Sequence, residues 1–437
     1  MHKKLTWFVI LMITIAGCKT VQQGIFSKQT PHEEYQNKLV QAGLDGAVLG
    51  KTWIQAASTG ISEATSIEIP FSEALVFDLE HLNAATYMLK LKEGQNLHIM
   101  VEPENNDTLE VFIDLFHLNN GELKHTEHAE KDSLKLNYRV KRNGEYLVRI
   151  QPELLAQGLF MAYIFTDASL NFPVPEKDFN SIASFFGDPR DGGGRRHEGV
   201  DIFAPRGTPA LAVGDGRVSR TGTNRLGGKV VWVTDTQRGY NYYYAHLDSQ
   251  LVRPGMRVNA GDTIGLIGNT GNARTTPPHL HFGIYAMGRR SIDPYVFFHR
   301  TELPVIDSLH IQQYAGNWGR TTSPRTNLRT APGMQAEIDN SLTSGIPLKI
   351  LGLTNNWLKV ELPSGEQGYI YRTLIDPVTK PIEEITVSNQ VVRIRPDSEA
   401  RAKLITDQNE TVKVIAEYDS YLLINIKDNF GWIKDQS

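Results

Sequence analysis

A single cysteine, Cys18, in 437 residues excludes an intrachain disulfide framework and any zinc site built from several thiolates. Long apolar runs are missing too. The N-terminal one, Leu5 to Ile15, has eleven residues where a membrane-spanning helix needs about 20, so a multi-span membrane protein is excluded. Neither sign of charge dominates: 45 basic against 49 acidic residues give a net charge of −4. That balance offers nothing to hold a polyanion, so no nucleic-acid partner is expected. There is also no His-Glu-x-x-His, and hence no zinc-binding helix carrying its own glutamate base. With hydrophobic residues at 40%, the chain can build several cores, and its length suggests about three domains.

The position of Cys18 is informative. A basic start, Met1-His2-Lys3-Lys4, precedes the apolar run, which ends in Ile15-Ala16-Gly17-Cys18. Small residues before a lone Cys resemble the bacterial lipobox, in which the Cys is lipidated and becomes the first residue of the mature chain. The expectation is a lipoprotein signal peptide over 1–17 and a membrane partner reached through the lipid anchor. The protein would be exported and tethered to the cell envelope, and Lys19 in place of Asp points to the outer membrane.

Residues 18–57 read as a tether and a short helix, opened by Thr30-Pro31 with Glu33 and Glu34 in its first turn and closed near Gly43. From 58 to 170 the pattern alternates. Ala74 to Phe77, Thr86 to Leu91, Leu97 to Val101, Leu109 to Leu115 and Glu145 to Ile150 read as strands separated by Gly/Asn turns, which predicts a β-sandwich accessory domain. His125 and His128, in a charged stretch of it, read as a solvated hairpin tip. Asn171 to Pro175 forms a linker, and a Gly-rich region follows over 176–303. In the last third, Leu328-Arg329-Thr330-Ala331-Pro332 aligns with Val392-Arg393-Ile394-Arg395-Pro396, 64 residues further on. That period is too long for the common solenoids. The two units, 310–378 and 383–437, resemble bacterial SH3-like barrels.

The distinctive chemistry lies in 176–303, in three clusters: His197-Glu198-Gly199-Val200-Asp201, Tyr244-Ala245-His246-Leu247 and His279-Leu280-His281-Phe282. Residues two apart on a strand share a face. His279 and His281 therefore look into a groove while Leu280 and Phe282 serve the core. His197 and Asp201, four apart, point one way if extended. Neutral imidazole and carboxylate suit zinc, and three protein ligands with an open fourth position make a catalytic site. By geometry either strand histidine could be the third ligand.

Together with Phe186 to Arg190, Gly207 to Val218, Val252 to Val258 and Gly261 to Gly271, these clusters resemble the M23, or lysostaphin-like, zinc endopeptidases. The resemblance implies one Zn2+ per chain held by His197, Asp201 and His281, with His246 and His279 lining the scissile bond as the catalytic pair. It implies peptidoglycan as the substrate, and hydrolysis of its peptide cross-links. In such a site zinc polarises the carbonyl and lowers the pKa of water from about 15.7 toward about 7. Thr275-Thr276-Pro277-Pro278 departs from the family's Thr-Gly-Pro and bears on the groove wall. The fold class expected is mainly β and multidomain: an N-terminal β-sandwich, an antiparallel-β peptidase domain and two small SH3-like barrels. The alternative is a non-catalytic, lipid-anchored wall-binding scaffold or an activator of another wall hydrolase.

Overall fold

The computed structural model describes residues 29–80, 84–104, 109–288, 290–378, 380–427 and 429–436. Cys18 and the segment 1–17 lie outside the described residues, as does Asn105-Asn106-Asp107, whose composition predicts a turn. The protein is mostly β, arranged in several sheets.

Two helices precede the first sheets. Pro31–Gln41 is closed at its start by a capping box: Thr30 Oγ1 accepts the Glu33 N–H at 3.2 Å, and Glu33 Oε2 accepts the Thr30 N–H at 3.0 Å. Val48–Ser62, a helix the sequence reading did not name, packs Trp53 beside it. His32 stacks on Trp53 at 4.9 Å, meets Phe112 edge-on, and donates through Nε2 to Gln151 Oε1 at 2.8 Å.

Burial, and secondarily the nearby Arg149 guanidinium, push the His32 pKa down to about 4, against 6.5 for a free imidazole. The folded protein thus keeps His32 neutral where the unfolded chain takes up a proton. Stability from this group is complete above pH 6.5 and is lost as pH falls toward 4, by about 3 kcal/mol. Urea midpoints should fall accordingly between pH 6.5 and 4, and His32→Phe should flatten that part of the dependence. An unchanged pH profile in His32→Phe would contradict the assignment.

The sandwich follows the alternation. One sheet runs Thr65–Ser66, Ala85–Leu91, Gly144–Pro152, Val111–Asn119, Glu122–His128, and the facing sheet runs Phe71–Phe77, Gly158–Asp167, Asn96–Pro103, Lys135–Arg139. Tyr87, Leu89 and Leu91 of the first meet Leu97, Ile99 and Val101 of the second in one core. His125 is not at a solvated tip. The turn lies at Asn120 and Gly121, and His125 Nε2 sits 3.3 Å from buried Asp114, which is itself paired to Arg149 at 2.7 Å. A β-bulge at Leu115/Phe116 sets this register.

The second sheet continues into the first C-terminal unit. Phe71–Phe77 pairs with Pro347–Thr354, giving an eleven-stranded sheet. Glu73, fully buried at the join, accepts Tyr87 OH at 2.5 Å and Tyr369 OH at 3.0 Å. The pairing covers an edge that would otherwise expose its backbone. The second unit repeats the first's wiring: Arg329 Nη1 donates to the Ala336 carbonyl, Arg393 Nη1 to the Ala400 carbonyl, both at 2.6 Å. Trp432 of the second unit meets Trp318 of the first at 5.9 Å, and Lys403 pairs with Glu80 of the sandwich.

Between sandwich and C-terminal units in sequence lies a ten-stranded sheet. Its central order is Ile182–Ser184, Val200–Phe203, His279–Ala286, Tyr240–Gln250, Gly228–Asp235, Gly216–Asn224. Leu280, Phe282, Tyr242 and Tyr244 face its core, so the alternate residues His279, His281 and Tyr243 face outward. The sheet leans on the sandwich at Gly94, whose φ of +99° and contact with the Phe297 ring leave no room for a Cβ.

Candidate metal centre and cleft

Three neighbouring elements bring the site together. Val200–Phe203 pairs antiparallel with His279–Ala286, setting Asp201 opposite His281. His197 reaches the same point from the preceding turn, which is tied down by the His197 N–H to the Asp188 carbonyl at 2.8 Å. His197 Nε2 lies 3.1 Å from Asp201 Oδ1 and 2.9 Å from His281 Nδ1, and the last two atoms are 3.0 Å apart. His197 Nδ1 lies 2.8 Å from the Phe185 carbonyl and 3.0 Å from Arg190 Nη2, and Nε2 faces the cluster. Gly199 permits the approach. A Cβ there would meet the Phe282 carbonyl at 2.3 Å and the His281 ring at 2.9 Å.

The donor set fits zinc: two imidazole nitrogens and one carboxylate oxygen, mutually within hydrogen-bond distance and together at the base of a cleft. Burial, the largest influence on Asp201, opposes its charge. Hydrogen bonds from His197 and His281 nonetheless hold the carboxyl well below the usual carboxylate range. Burial lowers the His281 pKa.

Sequence reasoning assigned no role to Arg190. Its Nη2 donates to Asp201 Oδ2 at 2.8 Å and to Ser184 Oγ at 2.6 Å. It therefore holds the outer carboxylate oxygen and leaves Oδ1 to the cluster, as outer partners of metal ligands do. The only signal was its place in the Phe186 to Arg190 segment. Arg190→Ala should weaken zinc binding by about 10–100-fold, with Arg190→Lys recovering part of it. Competition titration against a chelator reads this directly, and an unchanged affinity in Arg190→Ala would remove the role.

His246 and His279 stand beside the cluster, their rings 4.9 Å apart, with His246 5.8 Å from the His281 ring. The His246 backbone is left-handed, φ +60°, an uncommon state for a non-glycine residue that concentrates at functional sites. Register irregularities on both sides of it turn the side chain out of the strand's alternation. His246 Nδ1 faces the Thr270 carbonyl and His279 Nδ1 the Pro277 carbonyl, each at 2.9 Å. Both carbonyls can only accept, so in both rings Nδ1 holds the proton and Nε2 carries a lone pair. Burial first, then the neighbouring His281 and His279, push the His246 pKa down to about 4.

All five histidine and aspartate positions line one open cleft of about 730 Å³. One wall is aromatic, with Trp232 4.4 Å from Tyr243 and 5.2 Å from Tyr285. Arg190, Arg195 and Arg196 line the cleft as well. Thr276, from the segment that departs from the family pattern, also lines it.

A cluster of two imidazoles and a carboxylate, open to a cleft and flanked by two lone-pair imidazoles, defines a candidate metallohydrolase centre. Residues 195–294 match the model of peptidase family M23, and 324–376 that of the bacterial SH3 domain. The chain therefore carries an M23 peptidase domain and a bacterial SH3 domain. It is 40% identical over 149 residues to an L-Ala–D-Glu endopeptidase of Bacillus subtilis, covering 31% of this chain and 45% of the relative. It is 39% identical over 115 residues to the peptidoglycan DD-endopeptidase ShyC of Vibrio cholerae, covering 25% and 26%. A glycyl-glycine endopeptidase of Staphylococcus capitis is 41% identical over 90 residues, covering 20% and 24%. The chain spans less than half the length of these relatives.

Proposed function

We propose that the protein is a zinc endopeptidase that hydrolyses peptide cross-links of peptidoglycan. The observation that carries this reading is the meeting of His197 Nε2, Asp201 Oδ1 and His281 Nδ1 within 3.1 Å of one another, beside two histidines pinned through Nδ1. His197, Asp201 and His281 would hold one Zn2+ per chain, which supplies Lewis acidity toward the amide carbonyl and toward water. His246 and His279 do the proton work. The Nε2 lone pair of one accepts a proton from the attacking water, and the protonated ring returns it to the departing amine nitrogen. The other ring, neutral with its proton on Nδ1, orients the attacking water through its Nε2 lone pair. Atoms balance: the amide C–N bond breaks, water supplies OH to carbon and H to nitrogen.

Export and tethering through lipidated Cys18 belong to the same proposal and place the enzyme beside its substrate. Among the described residues the cleft is lined by 183–285 alone, so the C-terminal units leave its mouth clear. That favours wall binding over gating for the SH3 domain and for the second barrel that repeats its wiring. Because the first unit shares a sheet with the sandwich, the informative deletion is 383–437 only.

Isolated sacculi incubated with the zinc-loaded protein should lose turbidity and release soluble fragments, and a chelator should stop both. Deleting 383–437 should reduce retention on sacculi while sparing cleavage of a soluble muropeptide. Zinc-loaded protein that binds sacculi and releases nothing would favour the non-catalytic scaffold.

A further inference from the structure

We propose that Arg196 reads a free carboxylate on the residue that supplies the amine of the scissile bond. The cleft would then select a bond whose nitrogen-bearing carbon also carries a carboxylate, and disfavour an oligoglycine bridge. This inference rests on the endopeptidase reading above and specifies its substrate.

Cationic side chains line the cleft. Of its three arginines, Arg190 is committed to Asp201 and Ser184, and Arg195 Nε is committed to Asp191 Oδ2 at 2.6 Å. Arg196 is exposed, lines the cleft, and has no acidic partner among the described residues. Its backbone is not free to drift. Pro189 and Arg190 pair with Arg196 and Arg195 in a two-stranded ladder, and the next residue is the cluster member His197. Adjacent Cα atoms are about 3.8 Å apart, so the Arg196 side chain starts one residue from the cluster and enters the lining of the same cleft.

The remaining charges leave this role to Arg196. The carboxylates lining the cleft are Asp201, inside the cluster, and Glu198, which accepts Tyr285 OH at 3.3 Å. Trp232, Tyr243 and Tyr285, which also line the cleft, carry no charge of their own. A glycine bridge would leave Arg196 with nothing to bind. A carboxylate beside the scissile nitrogen would meet its planar fork in two charge-assisted hydrogen bonds.

The test compares kcat/KM of zinc-loaded protein on three soluble substrates. One is a muropeptide dimer joined from D-alanine to the carboxylate-bearing carbon of diaminopimelate. The second is the same dimer with that carboxylate amidated, and the third is pentaglycine. The carboxylate dimer should be preferred over its amide by about ten- to a hundredfold. Arg196→Gln should bring that ratio close to one, mainly through KM, with zinc content unchanged, and Arg196→Lys should restore part of it. A ratio that survives in Arg196→Gln would overturn the role of Arg196. Equal use of acid and amide by the unmodified protein, or a preference for pentaglycine, would overturn carboxylate selection itself while leaving the endopeptidase reading intact. Cleavage of none of the three would remove the reading on which the inference depends.

Discussion

Alanine at His197, Asp201 or His281 should cost the protein its zinc and its activity together. The three donor atoms lie 2.9–3.1 Å apart, and removing any one leaves two ligands for an ion that takes three from the protein in hydrolytic sites. Losing a ligand should exceed the 10–100-fold that losing an outer partner costs, so affinity should fall by more than about a hundredfold. Metal content after desalting, measured beside hydrolysis, checks both halves. Asp201→Ala is the sharpest case, because it also strands Arg190. One zinc per chain at unaltered affinity in that variant would remove the assignment.

The flanking pair should behave in the opposite way. His246→Asn and His279→Ala should retain zinc yet lose turnover by about 10²–10⁴, the contribution of a positioned acid or base. Asparagine is the better replacement at 246 because it tolerates the left-handed backbone there. The loss should fall on kcat more than on KM, since the interaction is made with protons in flight. If His279→Ala came out metal-free and His281→Ala stayed loaded, the two strand histidines would have exchanged roles.

Alternation made much of this legible. Period two in Leu97 to Val101 and Glu145 to Ile150 marks strands the structure contains, within Asn96–Pro103 and Gly144–Pro152. The same period put His279 and His281 on one face, but spacing could not tell which of them meets His197 and Asp201. The structure separates them by what each Nδ1 faces: the Pro277 carbonyl for His279, the cluster for His281. Other features leave no local trace. The left-handed turn at His246 depends on register shifts with two partner strands. Arg190 acquires its partner only when Val200–Phe203 comes alongside the preceding loop. The joining of Phe71–Phe77 to Pro347–Thr354 spans nearly the whole chain, and nothing in either strand announces its neighbour. His125 read as solvated because its sequence neighbours are charged, whereas a bulge turns it toward Asp114.

The most direct test of the central claim is mass spectrometry of fragments released from isolated sacculi by zinc-loaded and by metal-stripped protein. The account predicts that the loaded protein alone yields fragments with new amine and carboxyl ends inside the peptide cross-links, with glycan strands intact, and that restoring zinc to the stripped protein restores them. Release that survives metal removal, or fragments cut only within the glycan, would contradict it.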